Sequence, residues 1–503
     1  MKRECKLMRK ILLLALDIGT TNSKGAVFTT DGDIVASASR RHGISHPRPG
    51  WAEHDADAVW WAELVSICKE LLAAENVSPE DIKALSISSL SPALLPLSRE
   101  GTPLRPAMLY SLDTRATLEM EDMNKELGRM YSLEVNGRPI APKSTGPKIL
   151  WLKRHEPEIF KKTAYFVGAA AYLVYRLTGC VVADYGRYKM AGLPFSIRDF
   201  GWDERACSVC GIHPGQLAEL KYATEQAGVI TEEAARVTGL SPGTVVAVGT
   251  TDFLAETMSY GTRFLGVPQI SYGSCIGVDN GNDHGAILFK GFVPKVDEQP
   301  VPGGSMSNGC ANIDWIISLI SGSGQQRITD DILEDFARSA GAGANGIMIL
   351  PYFNGEKVPF TDSNAKGVIF GLSMGNKPAD LYKAALEGAA YSIRHVLEMV
   401  NENRRDEAVC MGGGTRIPML LQTVSDVTGV RQLTLERYNG ALAGDAFIAG
   451  MACGLFTKRE DINGWIRISG TVEPREEVKD VYDRGFKRYL ELYRATSHMM
   501  SGE

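Results

Sequence analysis

Ile11-Leu12-Leu13-Leu14-Ala15-Leu16-Asp17-Ile18-Gly19-Thr20-Thr21-Asn22 is the stretch on which the fold turns. The apolar run Ile11–Leu16 reads as a buried strand, and it stops at a carboxylate, a glycine and hydroxyls. Apolar character resumes at Gly25–Phe28. Thr30-Asp31-Gly32-Asp33 is a second turn signal, and Ile34–Ala38 supplies a third strand. The stretch therefore predicts a short antiparallel meander whose first turn carries chemistry. Gly19 lets the backbone approach an anion, so clustered N–H groups can face phosphate oxygens, and Thr20 and Thr21 add hydroxyl donors. Asp17 suits Mg²⁺, an oxygen-seeking ion bound by few carboxylates plus water. A plain hairpin also uses Asp and Gly for geometry alone, and that alternative stands at this point.

Further along, Asp55–Ala74 has a helical pattern with Asp55 or Asp57 as its cap, and Ile82–Ser88 is another strand. Helices are expected from Pro147 to Arg154 and from Tyr165 to Leu177. After the turn Ser241-Pro242-Gly243 comes the apolar strand Thr244–Val248. The second half begins again with strand, turn, strand: Gln269–Tyr272, Gly273-Ser274, Ile276–Asp279. A long helix over Ala379–Val400, a strand Ala408–Met411, the loop Gly412-Gly413-Gly414 and a helix Ile417–Thr428 follow. At 503 residues the chain exceeds one ordinary core. The pattern predicts two like-built α/β domains facing a cleft, over residues 1–245 and 246–503.

Composition narrows the function. Hydrophobic residues make up 44% and charged residues 23%, as in a soluble globular enzyme. A net charge of −6 argues against a broad nucleic-acid surface, which needs excess basic residues. The nine cysteines show no repeated spacing, so a disulfide framework is not expected and a reducing cytoplasm is. Cys207 and Cys210 form the CxxC and read as ordinary thiols. The basic start Met1–Lys10 precedes too short an apolar run for a signal peptide, and no stretch approaches a membrane span.

Phosphoryl transfer needs donors for phosphate oxygens, a metal, and a base for the acceptor hydroxyl. Gly249-Thr250-Thr251-Asp252 follows a strand, and a carboxylate at a strand end can take a hydroxyl proton; a helix cap is the alternative. Gly273-Ser274 and Gly412-Gly413-Gly414-Thr415 are glycine-rich turns, the second between strand and helix, where a ribose or phosphate can sit. Gly341–Gly346 matches GxGxxG but runs from helix into strand, the reverse of the dinucleotide-binding order, and is rejected as a NAD site. His42, His46 and His54 lack an acidic ligand pattern and are not read as a metal site.

Taken together, these motifs resemble the FGGY carbohydrate kinases over about residues 11 to 455. Asp17-Ile18-Gly19-Thr20-Thr21 resembles the family's first phosphate motif, and Pro49-Gly50-Trp51-Ala52-Glu53 its PGWxE stretch. Thr145 and Lys148-Ile149-Leu150-Trp151-Leu152 match most of its first signature, with Lys143 a departure. Gly367–Leu372, Asp380-Leu381 and Ala384-Ala385-Leu386-Glu387 fit the second signature. Gly413-Gly414-Thr415 with Gln422 and Asp426 is similar to the adenosine segment.

The resemblance implies two ribonuclease-H-like domains of the actin/hexokinase type closing on ATP and substrate. It implies Asp252 as catalytic base and Asp17 as the Mg²⁺ carboxylate. Gly19, Thr20, Thr21, Gly273 and Ser274 fall on phosphate loops, and Gly413, Gly414 and Thr415 on the adenosine loop. The expected acceptor is a small sugar or polyol, with xylulose or another pentulose leading and other ketoses, polyols and aldonates as alternatives. Ser91-Pro92 replaces the Met-His pair of xylulose kinases, and Phe253 replaces an Asn common after the catalytic Asp. Leu109–Arg115 resembles a Tyr-x-x-Asp-Thr-Arg segment of xylulose-kinase-like members; its Tyr110 and Asp113, with Ser91 from the departing segment and Asp252, are the expected substrate contacts, and Tyr110 as a core aromatic is the alternative. Homodimers are common in the family, so a homodimer is the expected assembly beside a small-molecule substrate. Two other classes remain: a non-catalytic sugar or nucleotide sensor on this scaffold, motivated by Ser91-Pro92, and an actin-like ATPase.

Overall fold

The computed structural model describes residues 10–292, 304–322, 328–400, 405–436 and 440–500. The chain divides into two compact units. The first comprises the described residues of Met1–Arg263, His284–Glu298 and Asn439–Trp465; the second comprises those of Phe264–Asp283, Gln299–Tyr438 and Ile466–Glu503. The first unit thus passes residue 245, includes Asp252, and takes in two later segments.

The first unit is built on strands β1 (Leu12–Ile18), β2 (Asn22–Thr29), β3 (Ile34–Arg41), β4 (Ile82–Ser89), β5 (Gln226–Val229), β6 (Val245–Ala247) and β7 (Thr250–Thr251). The order across the sheet is β5-β6-β4-β1-β2-β3, with β7 also paired to β4. The meander read from the sequence is present: β1, β2 and β3 pair antiparallel, Leu16 opposite Gly25 and Gly25 opposite Ala38. β4 then pairs parallel with β1, β6 and β7.

Leu12–Leu16 of β1 is an unbroken apolar run because the strand is buried on both faces. Leu12, Leu14 and Leu16 join a core with Leu85, Ile87 and residues of the helices Ala62–Leu72 and Ala169–Thr178. Leu13 and Ala15 point the other way, toward Ala26, Phe28, Ala84 and the helix Ala441–Ala452. A smaller core gathers the helices Thr117–Leu127, Thr145–His155 and Glu204–Cys210, where Cys207 and Cys210 are buried thiols. Asp55 does cap a helix, its Oδ1 accepting from the N–H groups of Asp57 and Ala58.

One expected helix is shorter than its pattern. Tyr165–Val167 is a strand paired antiparallel to Leu95–Leu97, and the helix starts at Ala169 after Gly168. Tyr, Phe and Val side chains fit a pleated surface, and Gly168, extended at φ −98° and ψ 179°, separates the two elements.

The second unit repeats the plan. Its strands are β8 (Gln269–Tyr272), β9 (Ile276–Asp279), β10 (Gly304–Ser305), β11 (Glu407–Met411), β12 (Arg431–Leu435) and β13 (Ile468–Val472), in the order β10-β9-β8-β11-β12-β13. As in the first unit, three antiparallel strands precede parallel neighbours: β8 pairs parallel with β11, and β11 with β12. The helices Pro378–Val400, Pro418–Thr428 and Lys479–Met500 supply residues to its core. Among the described residues no helix is long and apolar enough to cross a membrane.

Candidate active site

Parallel strands aim their carboxyl ends the same way, and in the first unit three end side by side. Asp17 of β1 lies opposite Ser88 of β4, and Thr250 of β7 lies opposite the same Ser88 from the other side. Asp252 follows as the first residue of the helix Asp252–Ser259, which Thr251 caps by accepting from the Leu254 N–H at 3.2 Å. Gly249 makes the passage from β6 to β7 at φ +71°, where an added Cβ would lie 2.3 Å from the Ile87 carbonyl oxygen. Sheet topology thus gathers Asp17 and Asp252 at one end of the sheet.

Asp17 is 9% exposed, and its Oδ1 accepts from Ser88 Oγ at 3.1 Å. Burial, helped by the Asp252 charge, pushes its carboxyl up to about 7, against the opposing pull of Lys24 and Ser88. Burial likewise raises Asp252; the Phe253 N–H, 2.8 Å from its Oδ1, and the Arg187 guanidinium pull it back. Glu256, one turn on, is raised by burial and by Asp252. Asp445, from the helix Ala441–Ala452, is fully buried and accepts from Ser86 Oγ at 3.1 Å. Burial holds its carboxyl well above the usual range, which favours the neutral acid.

Crowded, desolvated carboxyls make a site that a hard cation relieves, and their oxygens are the donors magnesium takes. Among the described residues no set of three or more His, Cys, Asp or Glu is arranged to hold a metal. Asp17 therefore fits a cation that draws its other ligands from water and phosphate.

Gly19 is confined: an added Cβ would lie 2.8 Å from the Asn22 carbonyl oxygen. Thr20 Oγ1 lies 2.9 Å from the Tyr110 hydroxyl, which brings an expected phosphate residue and an expected substrate residue together. Lys148 Nζ donates to the Leu109 and Tyr110 carbonyls, the latter at 3.2 Å, and fixes that segment. Burial draws Lys148 down to about 7. Ser91 Oγ is buried and has no hydrogen-bond partner within the described protein.

Asp113 is placed differently from its expected role at a sugar. Its side chain has no exposed surface. It accepts from Arg115 Nε at 2.9 Å and from the Ala52 N–H at 2.9 Å. Arg115 lies over Trp51 at 3.7 Å and Trp151 at 5.1 Å and also pairs with Glu53 at 2.7 Å. The PGWxE stretch and the first signature are thus joined by an internal ion network. The three histidines each have a polar neighbour: His42 Nδ1 lies 2.9 Å from Glu63 Oε2, His46 Nδ1 2.8 Å from the Trp51 carbonyl, and Trp60 Nε1 donates to His54 Nδ1 at 3.1 Å.

In the second unit, Gly273 and Ser274 form the turn between β8 and β9, and Gly412–Thr415 leaves the end of β11, the parallel neighbour of β8. Both loops meet the start of the helix Cys310–Ser321. The Cys310 and Ala311 N–H groups donate to the carbonyls of Gly273 and Ser274 at 3.1 and 3.2 Å, and a Cβ on Gly414 would lie 2.7 Å from Cys310 Sγ. Gly413, by contrast, has open space at its Cβ position.

Sequence reading missed Ser88, Asp445 and Arg187. Asp445 had a signal, a lone carboxylate in the apolar helical run Ala441–Ala452. Ser88 and Arg187 had none, since their partners are distant in sequence.

Strand-end carboxylates and glycine–hydroxyl turns in two like-built α/β units define a phosphotransferase of the sugar-kinase class. Residues 12–258 match the N-terminal domain of the FGGY family of carbohydrate kinases, and residues 273–453 match its C-terminal domain. The chain belongs to this family and is a carbohydrate kinase, a phosphotransferase with an alcohol group as acceptor. It is 29% identical over 492 residues to a xylulose kinase of Staphylococcus xylosus, covering 96% of this chain and 99% of the relative. It is 25% identical over 504 residues to a gluconokinase of Bacillus licheniformis, covering 96% of each. Among solved structures, a xylulose kinase from Rhodospirillum rubrum superposes with a TM-score of 0.81 at 26% identity, over 97% of this chain and 99% of that one. These neighbours share the two-domain ribonuclease-H-like fold of actin and hexokinase.

Proposed function

We propose that the protein transfers the γ-phosphoryl group of ATP to a hydroxyl of a pentulose such as xylulose. The observation that carries this reading is the gathering of Asp17 and Asp252 at one end of the sheet, on either side of β4, each desolvated and raised. Asp252 accepts the proton of the attacking hydroxyl, and a base raised toward neutrality is matched to that task. Gly19, Thr20 and Thr21 in the first unit and Gly273 and Ser274 in the second offer donors to phosphate oxygens, and Gly413, Gly414 and Thr415 take the adenosine. Asp17 would hold magnesium, which when bound neutralises phosphate charge. Ser91, with an unpartnered hydroxyl, and Tyr110 line the acceptor side. Asp113 acts through Arg115 on the shape of that region. The cytoplasm is the expected compartment, and a homodimer fits the family.

Xylulose is favoured over an aldonate because several relatives, the first among them, are xylulose kinases. Relatives named gluconokinase keep gluconate as the second reading. ADP release from Mg-ATP, measured over ketoses, polyols and aldonates, decides between them. A strong response to xylulose supports the proposal; a response to gluconate alone replaces the substrate; sugar binding without turnover of ATP overturns the kinase reading. Asp252→Asn should lose at least about a thousandfold in kcat while ATP binding persists, and near-normal turnover would refute the base assignment.

A further inference from the structure

Arg187 lies in the helix Tyr185–Ala191, outside every motif that the sequence reading used, and its side chain is 4% exposed. Its five N–H donors form a rigid planar fork, and here the fork reaches the cap of its own helix and two strands distant in sequence. Nη1 donates to Ser89 Oγ at 3.1 Å at the end of β4, Nε to Asp184 Oδ1 at 3.3 Å, and Nη2 to the Thr250 carbonyl at 2.5 Å in β7.

The partners are themselves fixed. Asp184 is fully buried; its Oδ2 accepts from the Arg187 N–H at 2.9 Å and from Thr250 Oγ1 at 2.8 Å. Ser89 Oγ accepts from the Ala170 N–H at 3.1 Å. Thr250 is therefore gripped twice, at its carbonyl by the cation and at its hydroxyl by the anion. Two residues later the chain reaches Asp252.

We propose that Arg187 is a positioning residue: clamped to Asp184, it fixes the Thr250 carbonyl and thereby sets where the Asp252 carboxylate stands. Packing alone would be met as well by apolar groups, since a buried ion pair is often replaceable by hydrophobic residues at no loss of stability. A three-way fork at a strand end next to a base is not replaceable in that way. Lysine keeps the charge but lacks the fork, so it cannot span Ser89, Asp184 and Thr250 together. Arg187 also places a cation near Asp252, whose charge in turn raises Asp17 and Glu256. Displacement of a reacting group by about 1 Å costs on the order of a hundredfold in rate.

The inference rests on the reading of Asp252 as the base, and two readouts keep the two apart. With Mg-ATP and D-xylulose, Arg187→Lys should lower kcat about a hundredfold while KM for ATP stays within about threefold of the parent. Guanidinium at low millimolar concentration should restore part of the activity of Arg187→Ala, and urea at the same concentration should not. Independently of any substrate, hydrogen exchange of the peptide spanning Gly249–Leu254 should rise at least about tenfold in Arg187→Lys, with the peptide over Leu12–Ile18 unchanged. Should Arg187→Ala fail to fold, Asp184→Asn and Arg187→Lys carry the same test. A folded Arg187→Lys with near-parent kcat and unchanged exchange at Gly249–Leu254 overturns the clamp. Raised exchange together with an active Asp252→Asn overturns the base reading and leaves the clamp as architecture only.

Discussion

Replacing Asp17 by Asn should make the unliganded protein more stable and the enzyme inactive, and the gain should depend on pH in a definite way. In the folded protein the carboxyl sits at about 7, against about 3.9 in an unfolded chain. Each pKa unit corresponds to about 1.36 kcal/mol, so ionising Asp17 costs the fold about 4 kcal/mol above pH 7. Between the two values the folded state keeps a proton that the unfolded chain has lost. Wild-type stability therefore falls as pH rises through that window, and an amide removes the slope. The variant should exceed the wild type by about 0.5 kcal/mol at pH 4, about 1.5 at pH 5 and about 4 at pH 8. Urea unfolding of both proteins across this range, followed by tryptophan fluorescence, measures the difference. Mg-ATP should then stabilise the wild type more than the variant, because the carboxylate is the proposed magnesium ligand. Equal stabilities at pH 8, or a difference independent of pH, would refute the assignment of a desolvated, cation-seeking Asp17.

Three other perturbations test the surrounding architecture. Asp445→Asn should be more stable than the parent at pH 8 and close to it near pH 4, because the buried acid is raised and the amide does not titrate; parallel thermal midpoints at both pH values would contradict this. Arg115→Met should cost about 3–5 kcal/mol, since Asp113 is left buried without its cation and Glu53 keeps only Arg105; chemical unfolding reads it. Gly444→Ala should destabilise by about 1–3 kcal/mol or more and lower kcat, because the new Cβ would lie 1.8 Å from the Ala255 carbonyl oxygen in the helix that begins at Asp252; a parental thermal midpoint and kcat would show that the two helices separate freely.

How far the sequence could be read depended on the range of each interaction. The β1–β3 meander, the β8–β9 hairpin and the long helix ending at Val400 were legible because apolar runs and Gly/Asp turns act over a few residues. The segment from Tyr165 was misjudged because β-type and helical apolar runs look alike until a pairing partner is known, here Leu95–Leu97. Asp113 shows the same limit in the site. Its motif marked it, but only the fold shows that Arg115 and the Ala52 N–H occupy both its oxygens.

The sequence by itself determined the class of the protein: two α/β units, each opening on a strand–turn–strand with glycine and hydroxyls, and the residue types of phosphoryl transfer in family order. Tertiary structure alone decided which carboxylates act on one another. Asp17, Asp252 and Asp445 are far apart in the chain, and parallel pairing of β1, β4 and β7 over the helix Ala441–Ala452 is what desolvates them together. Local propensity places a carboxylate at a strand end. The pKa it adopts there follows from burial and neighbouring charge, which exist only after distant strands have met.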